Sequence, residues 1–147
     1  MKLTIGRVDK ADFPELHLTE IDIKVDTGAY TSAIHCNQIE EVEGENGDKY
    51  IKFTLLDPSH SHYNEKEFIV KKYKKKKVKS SFGTSEQRFV ISTEIQLFNE
   101  TFPIELTLSE RGEMKYPVLL GRKLLARKFI VDPSKRNLSF KSKNKKT

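Results

Sequence analysis

The chain has 147 residues, 36% of them hydrophobic and 33% charged, and carries a net charge of +6. That length suits one domain whose core can fold without disulfide or metal staples, and no apolar run approaches a membrane span. One cysteine, Cys36, allows no internal disulfide, and the stretch from Met1 to Gly6 lacks the apolar core of a signal peptide, so a reducing cytoplasmic setting is expected.

Leu3, Ile5 and Val8 predict a short opening strand, and Pro14 marks a loop over residues 12–16. Ile21, Ile23 and Val25 alternate with polar residues, the pattern of a half-buried strand. This strand runs into Asp26-Thr27-Gly28-Ala29, and Thr31 to His35 reads as the strand leaving that loop. The acidic stretch 40–48, with its Asn46-Gly47 turn signal, predicts a hairpin loop between Ile39 and a strand over 50–55. After a loop at 57–62, a strand from Glu67 is expected to continue through Lys79, seven of whose last nine residues are lysine. Ser80 to Ser85 is a small-residue turn, followed by a long strand over 87–98, a turn at Asn99-Glu100 and a strand over 101–108. Val118-Leu119-Leu120 reads as a buried strand ending at Gly121, with a helical turn over 121–127. Residues 129–131 and 138–140 are expected as two closing strands, and residues 141–147 as a basic, disordered tail beyond a domain at 1–140. Many short strands at hairpin spacing with one short helix predict an all-β, closed or partly closed barrel.

Two segments carry the chemistry. Asp26 supplies a carboxylate, Thr27 a hydroxyl that can tie the loop down, and Gly28 a tight turn close to the carboxylate. Leu119-Leu120-Gly121-Arg122 supplies apolar residues to lie under that loop and a glycine where two segments can cross closely. Alone, Asp-Thr-Gly is a common turn after a strand; with the later segment, in one all-β chain, the pair resembles the order found in retropepsins. Further matches are Ile5-Gly6-Arg7, Val78-Lys79-Ser80-Ser81 with Gly83, Glu86 and Arg88, Phe102-Pro103-Ile104-Glu105 and Val131-Asp132-Pro133. Together they resemble, over residues 5–133, a retropepsin-like family that carries the label ATP-dependent zinc proteases. The resemblance implies an acid-protease β-barrel with a flap hairpin and one short C-terminal helix. It makes Asp26, Thr27 and Gly28 the catalytic loop, with Ala29, Leu119, Leu120, Gly121 and Arg122 in support. Ser80, Ser81, Gly83, Glu86 and Arg88 then belong to the flap, which closes over an extended substrate. Tyr30 departs from the pattern: the family often has Arg there and retroviral proteases an acidic residue, so Arg122 lacks an acidic partner at that position.

One Asp-Thr-Gly per chain is half of a catalytic pair. Aspartic peptidases use two carboxylates sharing one proton, because two like charges so close cannot both ionise. A homodimer joining two copies of Asp26 on a two-fold axis is therefore expected. Glutamate-ligase systems associated with the family make an acidic protein tail the expected substrate.

For zinc, the sequence offers His35-Cys36 and His60-Ser61-His62 but no His-Glu-x-x-His, and no phosphate-binding Gly-rich loop supports ATP; no metal or cofactor is expected. Lys71 to Lys77 reads first as a solvated strand edge that discourages strand-to-strand aggregation. It could also capture acidic peptides or, with Tyr63, Tyr73 and Phe82 nearby, RNA, although no nucleic-acid fold signature accompanies it. Aspartic peptidase, zinc-dependent peptidase and a non-catalytic module binding acidic tails or RNA are the three functions to separate.

Overall fold

A computed structural model describes residues 2–56, 62, 63, 65–79, 83, 85–110 and 116–144. Its strands are β1 (Leu3–Ile5), β2 (Val8–Phe13), β3 (Leu18–Val25), β4 (Ser32–Glu43), β5 (Lys49–Leu55), β6 (Glu67–Val70), β7 (Lys74–Lys79), β8 (Ser85–Leu97), β9 (Glu100–Ser109), β10 (Val118–Leu120) and β11 (Phe129–Val131). Two short helices, α1 (Arg122–Leu125) and α2 (Leu138–Asn144), follow β10 and β11. No helix among the described residues is long and apolar enough to cross a membrane.

The expected closed barrel is present. In the order β10-β3-β2-β8-β9-β4, six strands form a path that shuts when β4 pairs back onto β10. Closure leaves no open edge on this ring. The alternating apolar residues drive it: Ile21 and Ile23 on β3, Ile34 on β4, Ile95 on β8, Leu106 on β9 and Leu120 on β10 are all fully buried. Strand β4 serves two sheets because it bends. Its first four residues lie parallel to β9, and a bulge between Asn37 and Glu40, with Gln38 at φ 54°, turns the remainder toward β5 and β6.

Several expectations are corrected in detail. The opening strand is two strands divided at Gly6-Arg7, and β2 extends through Phe13 before a single 3-10 turn at Pro14–Leu16. Strand β4 reaches Glu43, so the hairpin loop shrinks to Gly44–Asp48, closed by the Gly44 amide donating to the Asp48 carbonyl at 2.6 Å. The turn between β8 and β9 is Phe98-Asn99, not Asn99-Glu100; both residues have positive φ, 54° and 60°, as a two-residue type I′ hairpin requires. Residues 67–79 are not one strand. Glu67–Val70 pairs with β5 and Lys74–Lys79 with β8, because the chain breaks at 71–73 to pass from one sheet to the other.

The closing strand expected at 138–140 is instead the first half of α2, which runs through Asn144 and so takes in positions expected to be tail. The reason is a distant cap. Asp9, 1% exposed, points both carboxylate oxygens at the start of α2: the Ser139 amide donates to Oδ2 at 2.8 Å and the Phe140 amide to Oδ1 at 3.1 Å. Amides that open a helix have no partner within it, and a carboxylate there satisfies them. Lys143, further along α2, pairs with Asp12 at 3.0 Å.

Candidate active site

The Asp-Thr-Gly loop hangs from the end of β3 and is held by the segment that follows β10. Strand β10 lies parallel to β3, with Leu120 opposite Val25, and antiparallel to β4, with Leu119 opposite Ala33. The pairing continues into the loop, where the Asp26 amide donates to the Leu120 carbonyl at 2.9 Å. The Arg122 amide donates to Ala29 and the Lys123 amide to Tyr30, each at 2.9 Å. The Arg122 guanidinium then reaches back to the Thr27 carbonyl at 3.0 Å. Four donors thus fix the loop backbone from Asp26 to Tyr30.

Gly121 lies where these segments cross. A Cβ there would meet the Tyr30 carbonyl oxygen at 2.6 Å and the Thr31 carbonyl carbon at 2.7 Å, so only glycine fits without displacing backbone. Its amide donates to the Ser32 hydroxyl at 2.9 Å, and Ser32 is itself buried. Within the loop, the Gly28 amide donates to Asp26 Oδ1 at 3.1 Å, holding the carboxylate against its own turn. Asp26 is half-buried while Thr27 and Gly28 are exposed. A carboxylate so held by the Gly28 amide, and half-buried, can share a proton with a second acid brought against it.

Of the hairpin expected as the flap, with strands around 68–79 and 86–97, the paired part is β7 and β8. It is paired from Lys74 opposite Val90 to Lys79 opposite Ser85, while β8 meets β9 only from Val90 onward. Residues 85–89 therefore project past the β9 ladder. Of the expected flap residues, Ser80 and Ser81 lie outside the described residues. Gly83 has φ +82°, the left-handed turn conformation that favours glycine. Glu86 and Arg88 share a strand face as expected, and Arg88 Nη2 donates to Glu86 Oε2 at 3.3 Å; the Arg88 side chain is only 10% exposed.

Carboxylates hold the base of the flap from both faces. Tyr73 donates its hydroxyl to Glu41 at 2.5 Å and Lys75 pairs with the same side chain at 3.0 Å. The Tyr73 bond first, then Lys75, lowers the Glu41 pKa, and the bond to Glu41 pushes the Tyr73 phenol up to about 12. On the other face Glu105 accepts from Lys123 of α1 and from Lys74 at 3.1 Å, and these bonds, Lys123 foremost, lower its pKa. Sequence reasoning placed the lysine run but not these partners. Strand geometry was the available signal, since successive side chains of β7 point to opposite faces and put Lys74 and Lys76 on one and Lys75 on the other.

The zinc in the family label finds no fitting donor set among the described residues, where no three His, Cys, Asp or Glu side chains gather. Cys36 is wholly buried with its thiol pKa raised by desolvation, and its S–H donates to the Ile34 carbonyl at 3.6 Å. The His62 ring lies 3.1 Å from the Thr19 carbonyl, and His60 lies outside the described residues.

A family model described as RimB-like, retropepsin-like aspartic endopeptidase RimB, matches residues 4–142. The chain belongs to the RimB-like family. Among curated relatives, a probable alpha-L-glutamate ligase of Shewanella pealeana is 38% identical over 137 residues, covering 90% of this chain and 29% of the relative. Proteins of the same description from Desulfotalea psychrophila and Parasynechococcus marenigrum are 35% and 31% identical, each again over 90% of this chain and 28% of their own length. This RimB-like chain thus spans less than a third of the curated relatives it matches. The crystal structure of Lpg0085 from Legionella pneumophila, a protein of unknown function, superposes with a TM-score of 0.73 at 28% identity, covering 95% of this chain and 99% of that one.

Proposed function

We propose that this RimB-like protein is an aspartic peptidase that works as a symmetric homodimer and hydrolyses peptide bonds in acidic, glutamate-rich protein tails. The observation that carries the reading is the Asp26 loop itself: one carboxylate per chain, positioned by the Gly28 amide and fixed from outside by Leu120 and Arg122. Two such loops, meeting across a two-fold axis, complete the acid pair. One Asp26 takes a proton from water as the oxygen attacks the scissile carbonyl; the other, protonated, gives its proton to the carbonyl oxygen. Collapse of the tetrahedral intermediate breaks the C–N bond and the departing amine takes up a proton from the pair.

Two observations support the substrate class. The flap strand and α1 present Lys76 and Arg122 beside the loop, neither paired with a carboxylate among the described residues, a positive field that concentrates acidic chains. The matching region lies within longer curated relatives named probable alpha-L-glutamate ligases, and a glutamate-rich chain fits that name.

The test is mass-spectrometric cleavage of peptides with glutamate-rich tails by wild type, Asp26→Asn and wild type with chelator. Cleavage by wild type, unaffected by chelator and absent in Asp26→Asn, is expected. Cleavage that survives Asp26→Asn but not the chelator would place the chemistry on a metal. Binding of the tails without cleavage by any form would make the chain a recognition module.

A further inference from the structure

Lys76 is the lysine of the flap strand that reaches the active-site loop. Its Nζ donates to Thr31 Oγ1 at 2.7 Å and lies 5.4 Å from the centre of the Tyr30 ring. The guanidinium of Arg122 stands 5.8 Å from the centre of that same ring. Two cations thus lie against one ring, and Tyr30 is 54% exposed. The neighbouring lysines are different: Lys74 is neutralised by Glu105 and Lys75 by Glu41. Among the described residues no carboxylate is within ion-pair distance of Lys76 or Arg122, whose partners at this place are a hydroxyl, a carbonyl and a ring.

A hydroxyl is a weaker acceptor for an ammonium than a carboxylate, because charge-assisted bonds between two ions are shorter and stronger than those to a neutral oxygen. Lys76 in the free protein is therefore seated on a partner that an incoming carboxylate can displace. The ring adds a cation–π attraction that keeps both positive groups facing one place. Register adds a further point: Lys76 pairs with Arg88 across the hairpin, so the two side chains share the face turned toward Thr31 and Tyr30.

We propose that Lys76 is a specificity-determining latch: it holds the flap strand to Thr31 and Tyr30 when no substrate is present, and hands over to a substrate carboxylate that it grips together with Arg122. This rests on the acidic-tail reading above for the identity of the substrate but not for the latch contact. The latch explains why position 30 can be aromatic although Arg122 then has no acidic neighbour there: the anion is brought by the ligand. It also ties recognition to flap position, since the group that reads the charge is part of the moving hairpin.

Hydrogen exchange read by mass spectrometry over residues 26–33 and 74–90 tests the contact without any turnover. Lys76→Met and Thr31→Val are each expected to speed exchange of both segments about tenfold, the double variant no more than either alone, and Lys76→Arg to restore most of the protection. Binding of tetraglutamate and tetraglutamine to an Asp26→Asn background then tests the handover. Lys76→Met is expected to weaken tetraglutamate about tenfold and to leave tetraglutamine unchanged, with circular dichroism confirming that the variant is folded. Unchanged exchange in Lys76→Met would overturn the latch, and unchanged discrimination between the two peptides would overturn the handover. Neither result depends on whether Asp26 performs hydrolysis, so failure of the peptidase reading is seen separately, in the cleavage assay.

Discussion

Single residues carry opposite kinds of constraint at this site. Under the proposed peptidase reading, Asp26 is constrained by chemistry: Asp26→Asn keeps the side-chain shape and the Gly28 contact but removes the acid. Peptide cleavage is expected to fall at least about a thousandfold with the melting temperature nearly unchanged, measured by peptide assay and thermal scan. Gly121 is constrained by space. Gly121→Ala forces a methyl into backbone at 2.6–2.8 Å, an overpacking that is expected to cost about 1–3 kcal/mol in urea denaturation. Asp9 is constrained by the amides it covers. Asp9→Ala would leave the buried Ser139 amide without its carboxylate, at about 1–3 kcal/mol, and should loosen α2 before the barrel. The placement of the first two was legible because the Asp-Thr-Gly loop and the Leu-Leu-Gly crossing are local motifs. Asp9 was not, because its partners are 130 and 131 positions away. The alternation of Leu138-Ser139-Phe140 pointed to a strand, and local pattern cannot register a carboxylate arriving from β2.

At the level of elements, the flap is a hairpin whose base is held by ions. Glu41 and Glu105 both have lowered pKa values in the folded chain, so their contribution to stability is complete above the unfolded glutamate value near 4.5 and is lost as pH falls through the lower folded value. Tyr73 runs the other way: its pKa is raised, so its contribution is complete below about 10 and disappears as pH rises toward 12. The flap base should therefore loosen below about pH 4.5. Hydrogen exchange of residues 73–79 across pH 3–6 checks this, and Glu41→Gln with Glu105→Gln should flatten the acid response. Exposed pairs of this kind are weak and screened by solvent, so the expected effect is on flap mobility rather than global unfolding. The hairpin was legible from the strand–turn–strand pattern. Its break from β6 was not, since seven lysines in nine residues carry no alternation from which a change of sheet could be read.

For the whole molecule, the barrel explains why the two motifs sit together. Strand β10 fills the gap between β3 and β4, and its Val118 and Leu120 side chains are fully buried. The sequence order of short strands made an all-β barrel readable, and the small-residue crossing at Gly121 made the closure readable too. The second copy is not written in the same way, because it rests on a count of one acid per chain. If the active form is a dimer, specific activity should fall on dilution, and wild type mixed with excess Asp26→Asn should lose activity as mixed pairs form. Analytical ultracentrifugation over the same concentrations should show the matching change in mass; constant specific activity with a monomer throughout would contradict the two-chain site.

The crossing at Gly121 has a consequence for how the protein is made. Ser32 and Gly121 are 89 positions apart, and Thr27 and Arg122 are 95 apart, yet both pairs must meet before the Asp26 loop has its shape. During synthesis the chain emerges from the amino end, and contacts this distant in sequence form late. A ribosome that has delivered Asp26 has delivered only an acidic side chain on a mobile strand. The acid acquires its setting when β10 and α1 have cleared the exit tunnel and slotted in. Until both crossings are made, the chain carries the acid without the loop that positions it.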